Sequence, residues 1–258
     1  VPYDHLILAT GAQTAWGELD DPNGLALPWR GDRQATELGR RVLKAFAQQG
    51  DTDAQRRALR FTIAGGGPSG VELAAELASR IQRDLLHRVS AEARRHHRVV
   101  LIEAQSELLP SFPPAARRHA RRALESLGVD LHLNTRVTTF DGRSIGLDNG
   151  DPLPGEHLIW AGGVEAPPWV RDLGLPLSDD GFVLVEDTLS VPDVEGLFVA
   201  GDLAHRRDGL CWPRLAASAA HMGPVAAENV LLDLVGASMR PFDYTHLGHL
   251  MRLGHGEG

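Results

Sequence analysis

The 258-residue sequence has a single cysteine, Cys211. One thiol excludes a disulfide framework, a C-x-x-C redox pair and a cysteine-rich metal site. It agrees with a reducing compartment, and no metal is expected. No run of about 18 apolar residues occurs, so nothing is expected to span a membrane. Positive charge is also short. Against 34 acidic residues stand 26 Lys and Arg, a net charge of −8, which argues against nucleic acid as the main partner. The arginines Arg117, Arg118, Arg121 and Arg122 then read as a solvated face. No initiator Met and no signal peptide precede the first strand pattern, and residues 253–258 stop without a closing element. The expectation is an internal fragment of a longer protein. What remains, with 43% hydrophobic residues, suits a globular α/β protein of one large domain or two smaller ones.

The most informative segment runs Phe61-Thr62-Ile63-Ala64-Gly65-Gly66-Gly67-Pro68-Ser69-Gly70-Val71-Glu72. Gly65, Gly67 and Gly70 keep the G-x-G-x-x-G spacing of a dinucleotide turn. The first glycine permits the tight turn, the second lets backbone approach a pyrophosphate, and the third lets helix and strand pack closely. The helix N-terminus then offers free N–H groups to the phosphates. Context supports the motif. Leu59 to Ala64 is an apolar strand run, and Val71, Ala74, Ala78, Ile81 and Leu85 recur at helical spacing. Val99 to Ile102 is the next strand and ends in Glu103, whose carboxylate is placed to accept hydrogen bonds from the adenosine ribose. Glu103 lies further from the glycines than the usual ~20 residues. A long helix and the basic stretch Arg94 to Arg98 would fill that gap. No Arg or Lys immediately follows Glu103, so NADH is expected rather than NADPH. A strand-to-helix turn without a ligand is the bland alternative.

Other elements fall around this unit. Tyr3 to Ala12 is a strand ending in a small-residue turn with Thr10 and Gly11. Gln13 to Arg33 reads as loop, Gln34 to Gln48 as helix, and Gly50 to Gln55 as a polar linker. Pro113 and Pro114 open a helix through Leu127, with Gly128 at its C-terminal cap. Short strands at Val129 to Leu133, Arg136 to Phe140 and Ser144 to Leu147, with turns at Asp141-Gly142 and Asn149-Gly150, suggest a meander crossing over a nucleotide domain. His157 to Ala161 is a buried strand ending at Gly162 and Gly163. Phe182 to Val185 and Leu197 to Ala200 are later strands. Pro213 to Val235 reads as helical.

Gly196-Leu197-Phe198-Val199-Ala200-Gly201-Asp202 is a strand that ends in Gly-Asp. With it the chain resembles the two-dinucleotide-domain flavoprotein reductases, and within them the type II NADH dehydrogenases, single-subunit NADH:quinone oxidoreductases. The resemblance covers nearly the whole chain in one order. It takes in Ala9-Thr10-Gly11, the Gly65 to Glu72 fingerprint, the Leu124 to Val137 passage, Ile159-Trp160-Ala161-Gly162-Gly163-Val164, Leu189-Ser190-Val191-Pro192 and Gly201-Asp202. It ends on Pro241-Phe242, Tyr244, Gly248 and Leu253-Gly254.

The resemblance implies an α/β fold with two Rossmann-like dinucleotide-binding domains (three-layer ββα), the NADH domain inserted in the FAD domain. On it, residues 1–56 end the first half of the FAD domain and add a connecting helix. Residues 57–166 are the NADH domain, 167–240 the second FAD half, and 241–258 the start of a C-terminal domain. The implied activity is hydride transfer from NADH to FAD, then two electrons to a quinone. Gly65, Gly67 and Gly70 would cradle the NADH pyrophosphate and Glu103 the ribose. Glu72 would orient the nicotinamide or assist proton movement, or else only complement the helix dipole. Gly162 and Gly163 would leave room for the nicotinamide. Thr10 and Gly11 would lie against the flavin nucleotide. Gly201 and Asp202 would bind FAD, with Asp202 beside a following helix N-terminus, unless Asp202 is a simple helix cap. The family pattern A-Q-x-A-x-Q-Q-G meets Ala216-Ala217-Ser218-Ala219-Ala220-His221-Met222-Gly223 here, with every glutamine replaced. His221 is then the candidate hydrogen-bond partner or proton donor to an acceptor, or an ordinary histidine. That departure keeps a non-quinone acceptor open, such as an iron–sulfur protein or a small molecule, and beside it a non-catalytic nucleotide-binding redox sensor. Relatives that work through cysteine pairs are disfavoured, and Cys211 reads as a bystander. For the whole protein the resemblance implies a cytoplasmic location at the inner-membrane surface, reached through the C-terminal region, with room for a homodimer.

Overall fold

The computed structural model describes residues 2–48, 50, 52–209, 212–244, 248 and 250–254. In chain order the elements are β1 (Leu6–Leu8), β2 (Gln13–Thr14), β3 (Leu27–Pro28), α1 (Asp32–Ala47), α2 (Asp53–Ala58), β4 (Arg60–Ala64), α3 (Pro68–Arg80), α4 (Ala91–His96) and β5 (Arg98–Ile102). There follow α5 (Pro114–Ser126), β6 (Val129–His132), β7 (Val137–Phe140), β8 (Ser144–Leu147), β9 (Leu153–Pro154), β10 (His157–Trp160), β11 (Val164–Glu165), β12 (Val183–Val185), β13 (Leu197–Val199), β14 (Ala204–Arg206) and α6 (Ala216–Leu234).

Packing divides the chain into two compact units, residues 14–163 with 249–258, and residues 1–13 with 164–248. The first is a three-layer sandwich around a parallel sheet of order β3-β10-β4-β5-β6. Alternation along each strand assigns its faces. Phe61, Ile63, Val99 and Leu101 join Leu38 and Val42 of α1, Leu73 and Leu77 of α3 and Leu124 of α5 in one core. Ala64, Val100, Ile102, Leu158 and Trp160 point the other way, against Phe140, Ile145 and Leu147 of the antiparallel meander β7-β8-β9. Strands buried on both faces read as continuous apolar runs, which is why they stood out in the sequence.

The differences from expectation are local. The stretch Gln13 to Arg33, expected as loop, holds β2 and β3, and α1 already starts at Asp32. The proline of β3 is tolerated because that strand is an edge. The linker before β4 carries the short helix α2, opened by Thr52 and Gln55 in a reciprocal capping box. No long helix bridges to β5. α3 ends at Arg80, a π turn (Ile81–Leu85) and a 3-10 turn (Leu86–Arg88) follow, and α4 takes up the basic stretch. α1, grouped by sequence with residues 1–56, is built into this unit's core through Leu38, Val42, Ala45 and Phe46.

The second unit pairs β1 with β13 and β12 with β14, both parallel. Phe182, Val183, Val185, Leu197, Phe198 and Val199 form its core with Met222 and Ala226 of α6 and with Phe242. Asn229, fully buried on α6, anchors the segment that follows. Its Nδ2 donates to the Thr188 and Arg240 carbonyls, and its Oδ1 accepts from the Arg240 N–H, all at 2.8 Å. No helix among the described residues is long and apolar enough to cross a membrane.

Candidate functional site

The C-terminal edge of a parallel sheet is where an open α/β fold presents its ligand site. At that edge of the five-stranded sheet, between the ends of β4, β5 and β10, lies a cleft of 410 Å³. Its lining includes Gly65, Gly67, Glu103, Gly162 and Gly163, so the structure brings five of the sequence-predicted residues together.

Backbone geometry makes the glycines necessary. At Gly65 φ is +115°, and a Cβ there would meet the Ala161 carbonyl oxygen at 2.3 Å. At Gly70 a Cβ would sit 1.8 Å from the Gly65 carbonyl oxygen, so only hydrogen allows α3 to start against the end of β4. Gly67 is different. No heavy atom lies within 4 Å of the place its Cβ would take, and Gly67 lines the cleft. Gly67 is also the N-cap of α3 and contributes no side-chain cap, with Pro68 next. The first N–H groups of α3 therefore remain available to an anion. Gly163 is likewise open, whereas a Cβ on Gly162 would strike the Trp160 indole at 2.8 Å. That indole is fixed by its own N–H, which donates to the Ala15 carbonyl at 2.6 Å.

Glu103 is 9% exposed, and its carboxylate is already engaged. The Gly66 N–H donates to Oε2 at 2.5 Å and the Gln105 N–H to Oε1 at 2.7 Å. These bonds tie the acid at the end of β5 to the middle of the glycine turn, and each oxygen keeps a lone pair for a further donor. Sequence reasoning missed Pro110, Gln105, Thr135 and Arg136, which also line the cleft. They come from connections after β5 and β6, and the only available signal was their place at the strand ends.

Glu72 does not line this cleft. It lies two positions beyond Gly70, about 200° around the helix, and so faces away from the turn. Its Oε1 accepts the Arg252 N–H at 2.9 Å, and it borders a separate groove between α1 and α3.

The other predicted residues belong to the second unit. Thr10 is exposed after β1, and nothing lies within 4 Å of a Cβ on Gly11. Gly201 and Asp202 open a 3-10 turn after β13. The expected helix start beside Asp202 is not there: β14 follows at Ala204, and α6 begins only at Ala216. α6 nevertheless packs on the turn. The Gly201 N–H donates to the Met222 Sδ at 3.1 Å. Among the described residues no donor reaches the Asp202 carboxylate, while its backbone carbonyl accepts from the Arg214 Nε at 3.3 Å. His221 is exposed on α6 and its ring meets that of Tyr244 in a T-shaped arrangement, centroids 6.0 Å apart. Cys211 lies outside the described residues.

Comparison with known proteins agrees with this geometry. The family described as pyridine nucleotide-disulphide oxidoreductase matches residues 1–223. A demethylphylloquinone reductase of Synechocystis is 30% identical over 257 residues, 98% of this chain and 59% of the relative. A type II NADH:quinone oxidoreductase of Mycobacterium tuberculosis is 32% identical over 267 residues, 96% of this chain and 56% of the relative. The chain thus spans a little over half the length of these curated relatives. Among solved structures, the NDH2 protein of Plasmodium falciparum in complex with NADH superposes with a TM-score of 0.73 at 21% identity, over 80% of this chain and 45% of that one. A ferredoxin reductase of Rhodopseudomonas palustris gives 0.70 at 19%, over 94% and 54%. At those identities the structural likeness establishes the fold.

Proposed function

The chain belongs to the pyridine nucleotide-disulphide oxidoreductase family, and on that premise we propose that the whole protein is an FAD-dependent NADH dehydrogenase that delivers two electrons to a quinone. The observation that carries the reading is the cleft at the sheet edge. A glycine turn there is open at Gly67, and a buried carboxylate, Glu103, is bonded to the same turn.

The residues present fit the two nucleotides. A Cβ at Gly67 or Gly163 would project into free space, and both glycines line the cleft, which leaves room for a ligand there. FAD, when bound, supplies the two-electron chemistry, accepting hydride from reduced nicotinamide and passing the electrons on. Everything else falls to the chain's own groups. Gly65, Gly67 and Gly70 hold the NADH pyrophosphate against the uncapped start of α3. Glu103 accepts from the ribose hydroxyls with its remaining lone pairs. Gly162 and Gly163 leave the nicotinamide unobstructed. Thr10 and Gly11 lie along the flavin nucleotide, and Asp202 accepts its ribityl hydroxyls. His221, exposed on α6, is the proton donor or hydrogen-bond partner for the acceptor. Glu72, whose Oε1 accepts the Arg252 N–H, orients the nicotinamide or assists proton movement. In this reading the whole protein is cytoplasmic and peripheral at the membrane surface where the quinone resides, and forms a homodimer.

One observation favours a second acceptor class. Met222 occupies a position where the family pattern has glutamine. It is 2% exposed, and its sulfur is committed to the Gly201 N–H, so it presents no amide to a quinone. Steady-state rates with a ubiquinone or menaquinone analogue, a ferredoxin and ferricyanide separate the two. A turnover that depends on quinone supports the dehydrogenase. Turnover with ferredoxin and none with quinone replaces it by a protein-acceptor reductase.

A further inference from the structure

Among the described residues that line the nucleotide cleft, Arg136 is the one cation and Glu103 the one acid. Backbone hydrogen bonds set the two side by side. The Glu103 N–H donates to the His132 carbonyl at 2.8 Å, the Asn134 N–H to the Gln105 carbonyl at 2.9 Å, and the Thr135 N–H to the Glu103 carbonyl at 3.0 Å. The segment after β6 thus keeps pairing with the segment after β5, beyond the ends of both strands. Thr135 is buried, and its Oγ1 donates to the Leu133 carbonyl at 3.0 Å. On the other side, the Arg136 N–H donates to Asp148 Oδ1 at 2.9 Å, and the Arg136 carbonyl accepts the Asp148 N–H at 3.0 Å. The backbone of Arg136 is therefore fixed at the cleft. Its side chain is exposed, and among the described residues its guanidinium makes no ion pair.

Strand order decides what this cation meets. The sheet runs β4-β5-β6 at this end, so the glycine turn after β4, Glu103 after β5 and Arg136 after β6 follow one another along the cleft. On the dinucleotide reading proposed above, the pyrophosphate takes the first place and the adenosine ribose the second. The adenine base then falls at the third. The aromatic residue that lines the cleft, Trp160, ends β10, on the opposite side of β4. Pro110 and Val137 give the base an apolar wall, and its exposed face is left for a partner. A guanidinium is planar and weakly hydrated, and it stacks on an aromatic face in a way a lysine ammonium does not. A 2′-phosphate on the ribose would be the other ligand for a guanidinium, but it would be set against the Glu103 carboxylate, at the cost of bringing like charges together.

We propose that Arg136 lies over the adenine base of the bound dinucleotide, its guanidinium stacked on the purine face, and so sets the affinity for the adenosine half. Fluorescence titrations with NADH and, separately, NADPH test this on the parent protein, Arg136→Lys, Arg136→Gln and Gly67→Ala. Both Arg136 variants should weaken NADH at least threefold, because neither carries a planar cation, and both should leave the ratio of NADH to NADPH affinity unchanged. Their melting temperatures should match the parent's, because residue 136 is anchored through its backbone. Full NADH affinity in Arg136→Lys overturns the stacking and leaves only an attraction between charges. A greater loss for NADPH than for NADH overturns it as well and assigns the guanidinium to the 2′-phosphate. Unchanged affinity in both Arg136 variants removes the contact altogether. In each of these cases a loss of NADH affinity in Gly67→Ala leaves the placement of the dinucleotide standing. A parent protein that binds NADH no better than Gly67→Ala refutes that placement, and the adenine contact falls with it.

Discussion

Gly67 and Gly70 sit three residues apart in the same turn and should respond to alanine in opposite ways. A methyl at Gly70 would lie 1.8 Å from the Gly65 carbonyl oxygen, and real Cβ atoms keep at least 3.0 Å, so the start of α3 must retreat by about 1.2 Å. The residues behind it, Val71, Ala74 and Ala75, are fully buried, so that movement is resisted. Overpacking of this kind costs ~1–3 kcal/mol, and the better helix propensity of alanine returns up to ~1 kcal/mol. The expected outcome is a net loss on the order of 1–2 kcal/mol, or a Tm lower by roughly 2–8 °C. NADH binding should weaken at least tenfold as well. At Gly67, φ is −73° and no atom lies within 4 Å of the new methyl. Stability there should change by less than about 1 kcal/mol, the scale of an N-cap preference. NADH affinity should still fall at least tenfold, ~1.4 kcal/mol, because the methyl occupies the space kept for the pyrophosphate. Thermal melts without nucleotide and NADH titrations by fluorescence measure both quantities. A Gly67→Ala protein with unaltered NADH affinity would refute the placement of the pyrophosphate. A Gly70→Ala protein as stable as its parent would refute the packing argument.

Three further outcomes can be checked. Glu103→Ala removes two backbone caps and the ribose acceptor together, so both stability and NADH affinity should drop; unchanged NADH affinity would end the ribose role. His157 has a folded-state pKa of about 4 against 6.5 in the unfolded chain, so the unfolded state binds the extra proton first. Stability should therefore be full above pH 6.5 and decline by ~3 kcal/mol as pH falls from 6.5 to 4; urea melts of His157→Gln across that range should show a shallower decline. Asn229→Leu strips three hydrogen bonds from partly buried backbone groups of Thr188 and Arg240, and chemical denaturation should record a loss of ~1–3 kcal/mol; a loss under about 1 kcal/mol would mean that water replaces the amide.

Much of this was legible in the sequence, for identifiable reasons. The G-x-G-x-x-G turn is a steric code, and the contacts at Gly65 and Gly70 are the constraints it encodes. The parallel strands announced themselves because both faces are buried. What stayed hidden has equally physical causes. β2 and β3 span two residues each, too short for any period to register. The amphipathic pattern of α1 predicts a helix with a buried face but not which core receives it. Glu72 follows the fingerprint in sequence yet points away from it, since two residues turn a helix past half a circle. Thr135 and Arg136 reach the cleft from a connection whose course depends on tertiary packing. His157 read only as the first residue of a buried strand, and its stacking on Phe61 exists only once β4 and β10 pair.

Hydride transfer from NADH to a bound flavin is tested most directly by the visible spectrum of the purified protein with FAD, recorded anaerobically before and after NADH and, separately, NADPH. A protein-bound flavin band that bleaches stoichiometrically with NADH and not with NADPH is the expected result. A bound flavin that NADH leaves oxidised, or one that NADPH reduces equally well, would contradict it.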